Sequence, residues 1–264
     1  MKKQLLRVKQ LASENLGRAE KTDDLTDQLQ QLEKRVESVK HACQTTIKKL
    51  QSCLLSASSE LDKMKNDIKT EVLARVVKGK TQKAEPQRRK KKLPQFSLST
   101  SLMDASSTLD DEKGSSTLRK MLEQCGCCQE ALAANLVAFE MNVEQEIIAP
   151  MASIVEDEIK PILHARKSLG KTRLDMDSYK SRWTSAVKAS SAGNAVAASK
   201  VDQKKDKYED SIADFHQAQD ALTVEMLQFC SHELRHAALF KKLLELQAEY
   251  HKESLRLLDT VLPT

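Results

Sequence analysis

Apolar residues recur every three or four positions through most of this chain, and the places where that rhythm stops divide it into helices. Leu25, Leu29, Leu32, Val36, Val39, Cys43, Ile47, Leu50 and Leu54 form one stripe of about four heptads, a coiled-coil-like seam that must be covered by partner helices. The stripe weakens through Leu61, Met64 and Ile68 and is expected to stay helical as far as Val77, before Gly79. A second stripe begins at Leu118 and runs through Leu122, Cys125, Leu132, Leu136, Phe139, Val143, Ile147, Met151 and Ile154, in a helix that reaches Trp183. A third joins Tyr208, Ile212, Phe215, Leu222, Met226, Phe229, Leu239, Leu243, Leu246, Tyr250, Leu257 and Val261. Between the first two, Leu98, Leu102, Ala105 and Leu109 predict a short helix.

The ends of these helices carry their own signals. Thr22, with Asp23 and Asp24 behind it, reads as the N-cap of the first long helix. Ser190, Ser191, Gly193 and Asn194 supply turn chemistry, and Ser199 with Asp202 makes the acidic form of a capping box for the third. Three long helices with short connections predict an all-α antiparallel bundle. Such a thin bundle buries limited area per residue, so a second copy would add core.

Pro150 and Pro161 interrupt the second long helix. Eleven residues at about 100° each make about three full turns, so uninterrupted α winding would place both prolines on one face and bend the helix in one direction. A long helix with a directed bend suits a curved partner such as a membrane surface.

Charge sharpens this picture because it is unevenly spread. Residues 129 to 159 carry Glu130, Glu140, Glu144, Glu146, Glu156, Asp157 and Glu158 with no Lys or Arg. Residues 166 to 205 reverse the sign, with Arg166, Lys167, Lys171, Arg173, Lys180, Arg182, Lys188, Lys200, Lys204 and Lys205 against Asp175, Asp177 and Asp202. Residues 78 to 92 hold Lys78, Lys80, Lys83, Arg88, Arg89, Lys90, Lys91 and Lys92 against Glu85, and Pro86 is expected to break any helix there. That run reads either as a solvated loop or as an anionic-lipid contact. At the N-terminus Leu5, Val8, Ala12 and Leu16 share a helical face with Met1, while Lys3, Arg7 and Arg18 lie opposite and Lys2 and Lys9 border the stripe. Such a helix is marginal in water but folds when its apolar face enters a headgroup boundary.

Composition excludes several alternatives. Aromatic residues make up 3% of the 264, too few to build a thick core around a deep pocket, whereas 31% are charged, as in helical bundles. No apolar run approaches the roughly 18 residues that span a bilayer. Cys43, Cys125, Cys128 and Cys230 fall on or beside apolar seams, where cysteine acts as a small hydrophobe in a reducing compartment. The Cys125 to Cys128 cluster lacks a second ligand pair, so no metal is expected there. His232-Glu233-Leu234-Arg235-His236 matches the zinc-protease pattern, yet its helix reads as bundle seam, and neither metal, cofactor nor catalysis is expected. Nucleic acid is a poor partner for a chain without stacking aromatics or a recognition motif.

Leu174-Asp175-Met176-Asp177-Ser178, followed by Tyr179, Arg182 and Trp183, resembles the segment that ends the second helix of BAR domains. Met1-Lys2-Lys3-Gln4, the run from Leu16 to Thr22, Lys91-Lys92-Leu93-Pro94 and Gln247-Ala248-Glu249-Tyr250-His251 are more narrowly similar to the N-BAR domain of nadrin/RICH-type Rho GTPase-activating proteins. The resemblance implies a BAR-type elongated three-helix coiled-coil bundle with kinked long helices, paired as a crescent-shaped homodimer with six helices at its centre. Residues 1–21 would then be the basic amphipathic N-terminal helix and 22–264 the BAR domain. Within it the spacing predicts helix 1 over about 22–77, a basic linker over 78–97, a short helix over about 98–109, helix 2 over about 117–188, a tip loop over about 189–199 and helix 3 over about 200–262. The segment from about Leu61 to Arg89 is longer than the resemblance leads one to expect.

The expected function is binding of anionic phospholipids such as phosphatidylserine and phosphoinositides, with sensing or generation of curvature on the cytosolic face of plasma or endosomal membranes. Lys2, Lys3, Arg7, Lys9, Arg166, Lys167, Lys171, Arg173, Lys180, Arg182, Lys188, Lys200, Lys204 and Lys205 are the expected lipid contacts. Leu5, Val8, Ala12 and Leu16 are the expected wedge. The resemblance also implies a RhoGAP domain beyond Thr264 acting on Rho-family GTPases, this chain itself being non-catalytic. The alternative is a helical dimerisation or docking scaffold whose cations are merely solvated.

Overall fold

The protein is described here by a computed structural model covering residues 2–17, 19–54, 85–109, 116–191 and 200–262. Expectations for Met1, Arg18, the tail of helix 1 with Leu61, Met64 and Ile68, the cations Lys78, Lys80 and Lys83, and the turn and cap residues Gly193, Asn194 and Ser199 lie outside the described residues. No described residue is in a strand, so the expected all-α architecture holds. The helices are α1 (Lys2–Asn15), α2 (Asp27–Cys53), α3 (Glu85–Lys90), α4 (Pro94–Ser107), α5 (Ser116–Val143), α6 (Ala149–Ser153), α7 (Lys160–Ser191), α8 (Val201–Ser231) and α9 (Glu233–Asp259). They sort into two compact units, one of Met1–His41 with Val155–Glu233, the other of Ala42–Ile154 with Leu234–Thr264.

Helix α2 buries the stripe its sequence announces. Leu29, Leu32, Val36, Cys43 and Leu54 are buried, and Leu25, Val39, Ile47 and Leu50 are half-buried. Its start differs from expectation: Thr26, not Thr22, sits at the N-terminus, its hydroxyl accepting from the Leu29 N–H at 3.3 Å. Thr22 is engaged elsewhere, on Asp177.

The two prolines do not break the second long helix. Each follows a π-helical turn, Glu144–Ile148 before Pro150 and Ile154–Ile159 before Pro161, and α winding resumes after both. A proline collides with the carbonyl four residues earlier. Those carbonyls belong to Glu146 and Asp157, each inside a widened turn, where the Ala149 N–H reaches back five residues to the Glu144 carbonyl. The π turns also keep the apolar face continuous: Val143 and Ile148, then Ile154 and Ile159, are all buried at spacings of five. A π turn advances less per residue than an α turn, so the three-turn closure that would put Pro150 and Pro161 on one face does not apply. In α5 the buried line runs through Cys128, Ala133 and Val137, beside rather than along Leu132, Leu136 and Phe139, and Leu118 is exposed.

The third long helix is divided at His232 into α8 and α9, whose seam is otherwise as expected. Phe215, Leu222, Met226, Phe229 and Leu246 are buried, and Tyr208, Ile212, Leu239, Leu243, Tyr250, Leu257 and Val261 are half-buried. Lys200 stands at the start of α8 without a side-chain cap.

The basic linker is more structured than its charge suggests. Pro86 occupies the first turn of α3, where its missing N–H has no partner to lose. Arg89 holds Glu144 with two bonds of 2.7 and 2.9 Å, and Lys90 holds Glu130 at 2.8 Å while covering the Phe96 ring. Burial works against the Arg89 charge, but the bonds and charges of Glu144 and Glu85 more than offset it and raise its pKa. Helix α4 starts at Pro94 and packs on α5 with Leu93, Phe96, Ser99 and Ser106, leaving Leu98 exposed and Ala105 outside the contact. Small residues permit this approach: a Cβ on Gly126 would lie 2.9 Å from Met103 Sδ and 3.3 Å from the Ser99 carbonyl oxygen.

Candidate membrane-binding surface

The first unit is built around α7, with α8 running back beside it. Trp183 stacks on Tyr208 with ring centroids 5.6 Å apart, which sets the register. The end of α7, with Lys188, and the start of α8, with Lys200, Lys204 and Lys205, therefore lie at the same end of this helix pair. Lys188, Lys200 and Lys205 are exposed and Lys204 is half-exposed; Lys205 also meets Glu209 one turn on, at 3.3 Å. Lys167, Lys171 and Arg182 are exposed too, and 100° per residue places them within about 60° of one another round the α7 axis. Arg182 lies over the Tyr179 ring, 6.0 Å from its centroid.

Four of the expected lipid cations are instead committed to partners inside the unit. Arg173 is buried, giving one bond to Glu14 at 3.0 Å and another to Asp177 at 2.8 Å, and all three side chains are almost fully enclosed. It cannot reach a headgroup without leaving both carboxylates. Arg166 bonds Asp24 and Glu33, each at 2.9 Å. Burial opposes its charge, and the two carboxylates outweigh that and raise its pKa. Arg7 grips Asp175 at 2.8 and 2.7 Å, a bond that raises the guanidinium pKa. Lys180 meets Glu20 at 3.1 Å on the surface, which also raises its pKa.

These bonds fix α1 in an unusual posture. Arg7, Gln10 and Glu14 lie on one face and point into the unit, with Gln10 bonded to Glu14 at 3.1 Å. Leu5, Val8 and Leu16 are 72%, 67% and 66% exposed, and Ala12 and Leu11 are exposed beside them. At 100° per residue the two faces are about half a turn apart. Lys9 borders the apolar face and is exposed, as is Lys3, while Lys2 opens the helix. Gly17, at φ 66°, closes α1 in the left-handed conformation, with its N–H on the Glu14 carbonyl. Thr22 then anchors the following segment on Asp177. Sequence reasoning groups Leu5, Val8, Ala12 and Leu16, which are exposed together, but misses Glu14, Thr22, Asp175 and Asp177 as the groups that orient their helix. The available signal was Glu14, the one acid in α1.

Among the described residues no group of three His, Cys, Asp or Glu side chains is placed to hold a metal ion, and no helix is long and apolar enough to cross a membrane. His232 stands at the α8–α9 break with Nδ1 3.3 Å from Glu158 Oε2, and His236 is buried.

Comparison with known proteins gives this geometry a family. The model of the BAR domain matches residues 1–264. Rho GTPase-activating protein 44 of Rattus norvegicus is 38% identical over 265 residues, covering 100% of this chain and 29% of that protein. Rho GTPase-activating protein 17 of Homo sapiens is 35% identical over 263 residues, covering 100% of this chain and 27% of that protein. SH3 domain-binding protein 1 of Homo sapiens is 32% identical over 275 residues, covering 99% of this chain and 35% of that protein. The chain thus spans about a third or less of these relatives. With a matching family model from end to end, over a helical bundle of the expected kind, it belongs to the BAR-domain family.

Proposed function

We propose that this chain binds anionic phospholipid membranes as a homodimer and senses or generates their curvature. The observation that carries the reading is the posture of α1, which turns its polar face into the protein and offers Leu5, Val8, Ala12 and Leu16 outward. Large apolar side chains exposed side by side on a basic helix fit a headgroup boundary better than water. The exposed cations Lys3, Lys9, Lys167, Lys171, Arg182, Lys188, Lys200 and Lys205, with Lys204, supply Coulomb attraction of about 1 kcal/mol each near an anionic surface. Arg173 is left out of that set because it is buried, and Arg7 and Arg166 serve the fold first.

A second copy is supported by the other unit. Along α9 and just past it, Leu234, Leu244, Leu255, Leu258 and Leu262 stay exposed on a stripe separate from the buried seam, and Leu118 and Met121 are exposed on α5. The names of two relatives support a link to a Rho GTPase-activating domain outside these 264 residues, which membrane binding would bring to the cytosolic face of plasma or endosomal membranes.

Co-sedimentation with phosphatidylcholine vesicles, with and without phosphatidylserine or phosphoinositide, at low and high salt tests the reading. Binding should need the anionic lipid and weaken with salt. Equal binding to neutral and anionic vesicles would refute the electrostatic mechanism, and no binding to either would favour a scaffold that only dimerises.

A further inference from the structure

Resting on that reading of α1, we propose that the wedge is assembled before any membrane arrives. Asp175, Arg173 and Asp177 act as positioning residues that dock α1 on α7 with its apolar face outward.

The usual difficulty for a short amphipathic helix is that water does not support it. Fourteen residues lie at the margin of independent helicity, and their ordering must be offset when the lipid is met. Here the offset comes from the protein. Arg7 makes two parallel bonds to Asp175, the strong bidentate geometry of a guanidinium on a carboxylate. One and two turns along the same face, Gln10 is buried and Glu14 reaches Arg173. Arg173 is shared with Asp177, and Asp177 accepts from both the hydroxyl and the N–H of Thr22, beyond the C-terminus of α1. The helix is therefore held along its length and again just past its end.

Every one of these attachments is polar, and none uses Leu5, Val8, Ala12 or Leu16, which stay exposed. Docking and insertion thus employ opposite faces, so α1 can meet lipid without letting go of α7. The partner is a lipid surface, because the offered face is a narrow apolar strip bordered by lysine.

Hydrogen exchange on the 264-residue chain in lipid-free buffer tests the proposal, with amides of α8 as the internal control. Amides within residues 6–15 should be protected. Asp175→Asn should speed their exchange by about tenfold or more without affecting α8, and the swapped pair Arg7→Glu with Asp175→Arg should restore protection. Exchange in native α1 as fast as in an unstructured peptide would overturn the proposal, as would a swapped pair no slower than Asp175→Asn. Sedimentation of the same native sample with phosphatidylserine vesicles reads lipid binding separately. A docked α1 on a chain that ignores those vesicles would refute the membrane reading and leave the docking intact.

Discussion

Thr22 and Asp177, 155 residues apart in sequence, are joined twice. The Thr22 hydroxyl donates to Asp177 Oδ1 at 2.6 Å and its N–H donates to Oδ2 at 3.3 Å. Asp177 also accepts from Arg173, so one carboxylate ties the segment after α1 to the core of the first unit. The arrangement resolves a buried charge problem, since a carboxylate away from water needs donors on both oxygens.

Removing the shared cation should therefore cost far more than removing a surface lysine. Arg173→Met leaves Glu14 and Asp177 enclosed without their common partner. Breaking a buried pair of this kind costs about 3–5 kcal/mol. The unfolding free energy from urea titration should fall accordingly, whereas Lys171→Met should leave it within about 0.5 kcal/mol of the native value.

Acid should weaken the ion pairs that Glu85 makes with Arg88 and Arg89 inside α3. Burial alone would raise the Glu85 pKa, but bonds from Arg89 and Arg88 and their charges prevail and hold it below its ordinary value of 4.5. A depressed carboxylate stabilises the fold above the unfolded pKa and loses that contribution as pH falls through the folded one. The melting-temperature difference between the native chain and Glu85→Gln should be constant from pH 7 to about 5 and vanish as the pH drops well below 4.5. A difference unchanged at pH 3 would contradict the pairing.

The contact of α4 with α5 predicts a reversal of helix propensity. Alanine normally gains about 0.8–1 kcal/mol over glycine inside a helix. At position 126 the added Cβ would press on Met103 and the Ser99 carbonyl, and overpacking of that kind costs about 1–3 kcal/mol. Gly126→Ala should lower stability by about 1 kcal/mol, and the same change on a Met103→Ala background should cost clearly less. Thermal melts of the four proteins give the comparison.

The sequence spoke most clearly where burial follows α periodicity. The α2 stripe from Leu29 to Leu54 and the Phe215 to Leu246 seam are found where spacing by threes and fours places them. The π turns escape a sequence reading because Val143, Ile147, Met151 and Ile154 already fit spacing by fours and threes, which leaves out Ile148 and Ile159, five beyond Val143 and Ile154. Cation counts do not reveal the pairing of Arg7, Arg166 and Arg173 for a different reason: a run of like charge shows how many cations there are, whereas their partners Asp175, Asp24, Glu33 and Glu14 lie far along the chain or on another helix. Thr22 looked like a cap because its neighbours are acidic; the tertiary bond to Asp177 took it, and Thr26 assumed the role.

The most direct test of membrane binding is co-sedimentation of the native chain and the Lys200→Glu, Lys204→Glu, Lys205→Glu triple variant with phosphatidylserine-rich vesicles, with molar mass measured in parallel by analytical ultracentrifugation. With about 1 kcal/mol per cation at stake, and charge reversal adding repulsion, binding should fall by about a hundredfold or more while the two proteins keep the same molar mass. A triple variant that binds these vesicles as tightly as the native chain would contradict the account.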